Sequence, residues 1–281
     1  MKTYLDCIPC FFNQALRAGR IAKCDENKIK KLLNEIGMTL KDIPLKNTPP
    51  ETGMLIYEKV RKITGIFDPY EEIKRTNTEE ALSLYPSLKN RVEMSNDKLL
   101  TAIRISIAGN VIDFGVNKMF DIRDEIDKTL KKDFAVFDYS KFKNNLVKTD
   151  EILYIGDNAG ESVFDKILIE EMKKPVIYVV REVPVINDVI YKDAILAGID
   201  KVAQIFSSGT SAPGTIIKTC SDEFKKLYKN SKFVISKGQG NYEGLSEEMH
   251  PIFFLLKVKC WVIANDIGVK EGDIILKGIN I

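Results

Sequence analysis

Histidine is almost absent from this chain: 281 residues carry one, His250. A histidine-rich zinc site is therefore excluded, and any Ser-His-Asp triad would depend on that single ring. Cysteine is sparse too, with five residues: Cys7, Cys10, Cys24, Cys220 and Cys260. An odd, thin set in a chain this long is not the framework of a disulfide-stapled secreted domain. No apolar run is long enough to cross a bilayer. The opening MKTYLDCIPC holds one lysine and no long apolar stretch, so it does not read as a signal peptide. A dominant charge sign is missing as well. The 42 basic and 40 acidic side chains leave +2, which is no footprint for nucleic acid or an anionic membrane. These absences predict a cytoplasmic protein that engages neither nucleic acid nor membrane. Metal chemistry, if any, must use oxygen ligands or the Cys7 and Cys10 pair.

What is present divides in two. The first hundred residues read as helices. Ile29, Leu32, Leu33 and Ile36 recur at helical spacing within 25–43, and acidic residues open that segment. Thr48-Pro49-Pro50 breaks the chain, then 51–65 resumes the 3.6-residue period. Asp68-Pro69 reads as a cap and first-turn proline, and a further helix is expected over 96–110. From about residue 150, short apolar runs alternate with amphipathic stretches. Strands are expected at 152–155, 176–180, 203–206, 232–235 and 261–264, and helices at 160–173, 188–197, 215–229 and 246–257. The runs lack in–out alternation, which suits a parallel sheet buried on both faces. The fold class is α/β: a three-layer α/β/α domain with a mostly parallel sheet, over 101–281, beside a helical N-terminal domain over 1–100. The join lies somewhere in 95–150.

In such a sheet, ligands bind at the carboxyl ends of the strands. The residues after each expected strand are polar or glycine-rich. They are Gly156-Asp157-Asn158-Ala159-Gly160-Glu161, then Arg181-Glu182 with Asn187-Asp188, then Ser207-Ser208-Gly209-Thr210-Ser211, then Lys237-Gly238-Gln239-Gly240-Asn241, and last Asn265-Asp266. Each has an ordinary explanation when taken alone. Asp-Asn after a strand is a turn or cap, Asn187-Asp188 caps a helix, 207–215 is a loop, and Lys237 is a solvated lysine. Placed together at one edge, they describe a site. A bend at Gly156 and Gly160 lets Asp157 and Asn158 face one crevice. With Asp188 they supply three oxygens, a set suited to magnesium or manganese. Lys237, the 207–215 loop with Ser208, Gly209 and Thr210, and helix N–H groups after Ala159 would answer phosphate charge. GDNAG is not a dinucleotide fingerprint. Cys7-x-x-Cys10 supplies only two zinc ligands and reads as packing at a helix start.

As a set, CIPC, DPYEEIK, IAGNVIDFG, YIGDNAGE, PVINDVIYKDA, SKGQGNYE and ANDIGVKEGD resemble the metal-dependent damage-control phosphatase family, closest to its CxxC-bearing archaeal branch. These motifs span nearly the whole chain. The resemblance implies hydrolysis of small phosphorylated metabolites with manganese, magnesium, cobalt or nickel. It places the metal ligands on Asp157, Asn158 and Asp188, and the family lysine on Lys237. It also turns Asn110 and Asp113, in the GNxxD stretch, toward the site from the helical side. Asn241, in the stretch after that lysine, is counted with the substrate-binding residues. Other branches have an aspartate where this chain has Gln239, and a closing Arg-Thr-x-Lys element that it lacks, so their substrates do not transfer.

The expectation is a metal-dependent phosphomonoesterase acting on sugar phosphates or damaged nucleotides, with Glu161 or Asp188 as base. Two readings of other classes stay beside it. A non-catalytic nucleotide- or metabolite-binding module would use the same crevice without turnover. A methyltransferase-like transferase would grip a ribose with the acidic residues and need no metal.

Overall fold

The computed structural model describes residues 1–110 and 122–281. The chain opens with helices α1 (Cys7–Ile21), α2 (Glu26–Lys41), α3 (Pro49–Thr64), α4 (Glu71–Glu93), α5 (Lys98–Gly109) and α6 (Ile122–Lys131). The caps follow from sequence. Asp25 and Asp97 each accept a backbone N–H three residues on, and Thr48 with Glu51 forms a capping box ahead of α3. Phe11, Ala15, Leu32, Ile36, Ile56 and Val60 build a core among α1–α3. Helices α4 and α5 place Ala81, Leu84, Ile103 and Ile107 in the cluster that covers one sheet face.

Among the described residues the sheet has seven strands: β1 (Phe134–Phe137), β2 (Ile152–Ile155), β3 (Val176–Val180), β4 (Gln204–Ser207), β5 (Val234–Lys237), β6 (Ile252–Lys257) and β7 (Ile274–Ile279). Their order is β1-β7-β6-β5-β2-β3-β4, parallel except where β6 meets β7. Interleaved helices are α7 (Tyr139–Lys148), α8 (Ser162–Met172), α9 (Tyr191–Leu196), α10 (Asp222–Asn230), α11 (Gln239–Leu245) and α12 (Trp261–Ile267). Alternate residues of β2 separate the two sheet faces. Ile152 and Tyr154 pack toward α5 and α8, while Leu153 and Ile155 pack toward α10 and α12. This is the expected three-layer α/β class.

Three local expectations are corrected. Residues 261–264 are not a strand but the start of α12, closed by Gly268 in the left-handed region at φ 82°. A four-residue apolar run has too little period to separate strand from buried helix. Residues 252–257, expected as the end of a helix, form β6, whose first five residues are fully enclosed. His250 consequently leads into a strand, and its Nε2 lies 2.8 Å from the Ser231 carbonyl. Asn265 and Asp266 lie inside α12 rather than after a strand. Strands β1 and β7 were missed. One fell within 95–150, where the join between the two halves was left open, and the other hid in the short IILKGI run.

Candidate active site

Strand β2 lies between β3 on one side and β5 on the other. The chain leaves β2 in one direction and returns to its opposite edge, so a crevice opens beyond their carboxyl ends. The segment after β3 closes it. Arg181 N–H donates to Val189 O (2.9 Å), Val189 N–H to Asp157 O (2.8 Å) and Ala159 N–H to Asn187 O (2.9 Å). Asn158 and Asp188 thereby pair in an antiparallel bridge. Ile186, a β-branched residue, is held at φ 46° beside this contact. That conformation costs energy and persists only where the surroundings impose it.

Asp157, Asn158 and Asp188 line one cavity of about 550 Å³. Beneath it lies a web of buried polar groups. Asn110, the C-cap residue of α5, donates from Nδ2 to Asp157 Oδ2 (2.8 Å) and Glu161 Oε2 (2.9 Å). Asn158 Nδ2 donates to the same two oxygens at 2.9 and 3.1 Å. Lys237 Nζ holds Glu161 Oε1 (2.5 Å), Asp165 Oδ1 (2.6 Å) and Ser106 O (3.0 Å). Asp165 also accepts from Ser106 Oγ, Tyr154 OH and Tyr178 OH. Arg181 fixes Asp188 through Nε (2.8 Å), and its other nitrogens reach Thr215 Oγ1 (3.0 Å) and Asn241 Oδ1 (2.8 Å). Gly238 is required by both conformation and space: its φ is 79°, and a Cβ there would lie 1.9 Å from Asp157 Oδ2.

The electrostatics follow from burial. Burial first, then Glu161 and Asp188, push the Asp157 carboxyl well above the ordinary carboxylate range, with Lys259 and Arg181 opposing. Burial raises Asp188 against the pull of Arg181, and raises Asp165 against Lys237. Burial alone would lower the Lys237 ammonium, but Asp165 and Glu161 outweigh it and hold it charged. Four carboxylates thus face two buried cations. That excess of negative charge, with oxygen donors at the cavity wall, fits a hard divalent cation. Among the described residues, no three His, Cys, Asp or Glu side chains form a ready cage. The donors here are two carboxylates and one carboxamide.

The structure gathers some expected residues and not others. Glu161 and Lys237 lie under the site rather than on the cavity wall. Lys237, read alone as a solvated lysine, is completely enclosed. Asn241 braces the strand ends, donating to Gly156 O and Lys237 O. Ser208 and Thr210 do not line the cavity, because their hydroxyls are engaged elsewhere. Ser208 Oγ donates to Val180 O (2.9 Å), and Thr210 Oγ1 pairs with Thr219 Oγ1 (2.7 Å). Gly209 turns there at φ 75°, and the loop reaches the cavity only at Pro213. Helix α8 begins at Ser162, and its first N–H groups are taken by the carbonyls of residues 158–161. Asp113 lies outside the described residues. Missed by the sequence reading were Asp165 and Lys259, and the position of Cys7 and Cys10 on the cavity wall; Arg181 was placed at this edge but given no role. Asp165 had a signal: it follows Glu161 by four residues on one helix face.

The sequence pattern of the damage-control phosphatase ARMT1-like domain matches residues 3–275. An uncharacterised protein of Methanocaldococcus jannaschii is 34% identical over 98% of this chain and 95% of its own length. A damage-control phosphatase of Pyrococcus horikoshii is 33% identical over 98% and 97%, and one of Archaeoglobus fulgidus is 32% identical over 99% of each. The crystal structure of a DUF89 family protein from Pyrococcus horikoshii superposes with a TM-score of 0.89 at 32% identity, covering 98% of each chain. This chain therefore belongs to the damage-control phosphatase ARMT1-like family.

Proposed function

We propose that this chain is a cytoplasmic, metal-dependent phosphomonoesterase of metabolite damage control, acting on small phosphorylated metabolites such as sugar phosphates or damaged nucleotides. One observation carries the reading: Asp157, Asn158 and Asp188 share one cavity wall above a cluster in which carboxylates outnumber cations. Membership of a family whose relatives are named damage-control phosphatases supports it. All five cysteines are free thiols, which suits a reducing compartment.

Asp157, Asn158 and Asp188 would hold the cation, be it manganese, magnesium, cobalt or nickel. When bound, a divalent cation supplies the positive charge that phosphoryl transfer needs and makes water more acidic. The chain's own residues set the stage. Asn110 fixes Asp157 Oδ2, and Arg181 fixes Asp188 Oδ2, so neither carboxylate turns away. Glu161 has both oxygens occupied, by Lys237 and by the two asparagines, which makes it an orienting group. Of the two bases expected from sequence, Glu161 and Asp188, Asp188 is the one on the cavity wall.

The test is phosphate release from an aryl phosphate and a metabolite panel, with and without manganese. Asp157→Ala and Asp188→Ala should abolish metal-dependent release while the fold survives. Full activity of both variants with chelator present refutes the reading. Ligand-induced stabilisation without turnover would favour a binding module instead.

A further inference from the structure

The cavity needs a cation to meet an incoming phosphoryl group, and the structure leaves few to choose from. An ammonium has three N–H donors. Those of Lys237 are matched by Glu161, Asp165 and the Ser106 carbonyl, in a spot with no solvent access. Lys74 is spent on Asp68 and Asp193, also out of reach. Arg181 is enclosed by Asp188, Thr215 and Asn241. Lys259 differs from all three. It follows β6, is exposed, and lines the same cavity as Asp157 and Asp188. Arg17 of α1 lines that cavity too, but its side chain is already engaged by a neighbour. Its ammonium makes no hydrogen bond or ion pair among the described residues.

Its backbone is pinned by a residue that had no assigned duty. Gln239 Oε1 accepts the Lys259 N–H at 3.2 Å. The same amide donates from Nε2 to Glu243 Oε1 (3.1 Å) and to Cys260 Sγ (3.4 Å). A carboxylate at position 239 could not make those two donations.

We propose that Lys259 is the residue that grips the phosphoryl group in the cavity, and that Gln239 is the positioning residue that holds Lys259 in place. This assignment rests on the phosphatase reading for its substrate, but its binding test does not. A lysine suits this role, because it is a compact charge on a flexible stem that reaches phosphate oxygens as a point charge.

The experiment uses the chain's sole tryptophan, Trp261, which is two residues from Lys259 on the same cavity wall. Inorganic phosphate is titrated in the presence of magnesium, with Trp261 emission as readout, and the KM for an aryl phosphate is measured alongside. Lys259→Met should weaken phosphate binding and raise KM by roughly ten- to a hundredfold, while Lys259→Arg retains most of the affinity. Gln239→Ala should weaken binding less. The double variant should bind no more weakly than Lys259→Met, because the glutamine acts through the lysine. Wild-type affinity in Lys259→Met overturns the assignment, as does a wild-type chain that saturates with phosphate in neither readout. Additive losses in the double variant overturn the positioning role. If phosphate binds through Lys259 but no phosphomonoester is turned over, the hydrolase reading fails and the Lys259 assignment stands.

Discussion

Asn158 and Asp188 are thirty residues apart in sequence and paired in one antiparallel backbone bridge. That bridge, rather than either side chain, is what makes a site of two otherwise ordinary turns. It folds the segment after β3 onto the segment after β2 and sets three oxygen-bearing side chains along one wall.

The buried ion web under that wall should be expensive to break. Lys237→Met leaves Glu161 and Asp165 without their cation, and removing one partner of a buried pair costs about 3–5 kcal/mol. Denaturant unfolding should show that loss. A stability unchanged within about 0.5 kcal/mol would mean that this ion web does not stabilise the fold.

Gly238→Ala should remove activity without touching any charged group. The added methyl would overlap Asp157 Oδ2, and the backbone sits at φ 79°, where L-residues are strained by about 1–3 kcal/mol. Reduced melting temperature and lost turnover are expected together. Wild-type turnover in this variant would show that Asp157 need not stay where it is.

Ser208→Ala and Thr210→Ala discriminate between the loop as read in sequence and as folded. Their hydroxyls serve Val180 O and Thr219. Each loss should cost about 1 kcal/mol of stability and leave KM within a factor of about two. A large rise in KM would restore the loop to the substrate site.

The legible part of this molecule was the part written in local pattern. The α/β class followed from fully apolar runs such as VIYVV, and the convergence of Asp157, Asn158 and Asp188 followed from reading what comes after each run. Other features were not legible, for physical reasons. WVIA became α12 and IFFLLK became β6 because short apolar runs carry no period, and tertiary contacts decide between helix and strand. Lys237 read as a surface residue because its three acceptors come from elements 72 to 131 positions away. Ser208 and Thr210 read as ligand groups because a sequence does not show that a hydroxyl is already engaged.

Glu243 lines the cavity, and burial pushes its carboxyl up to about 7, against a hydrogen bond from Gln239 and the nearby amino terminus. A carboxyl raised on folding holds its proton more tightly in the native state. Its contribution is therefore complete below the unfolded value, about 4.3, and is lost as pH rises through 7. Melting temperature across pH 4.5–7 should decline less in Glu243→Gln than in the wild type. Parallel profiles would show that folding does not raise this carboxyl.

The central claim is that Asp157, Asn158 and Asp188 jointly hold a divalent cation, and it is tested most directly by anomalous scattering from crystals grown with manganese. The account predicts one strong peak bounded by these three side chains, absent in Asp157→Ala crystals grown the same way. A cavity without that peak, in crystals of protein that still releases phosphate in a manganese-dependent manner, would contradict it.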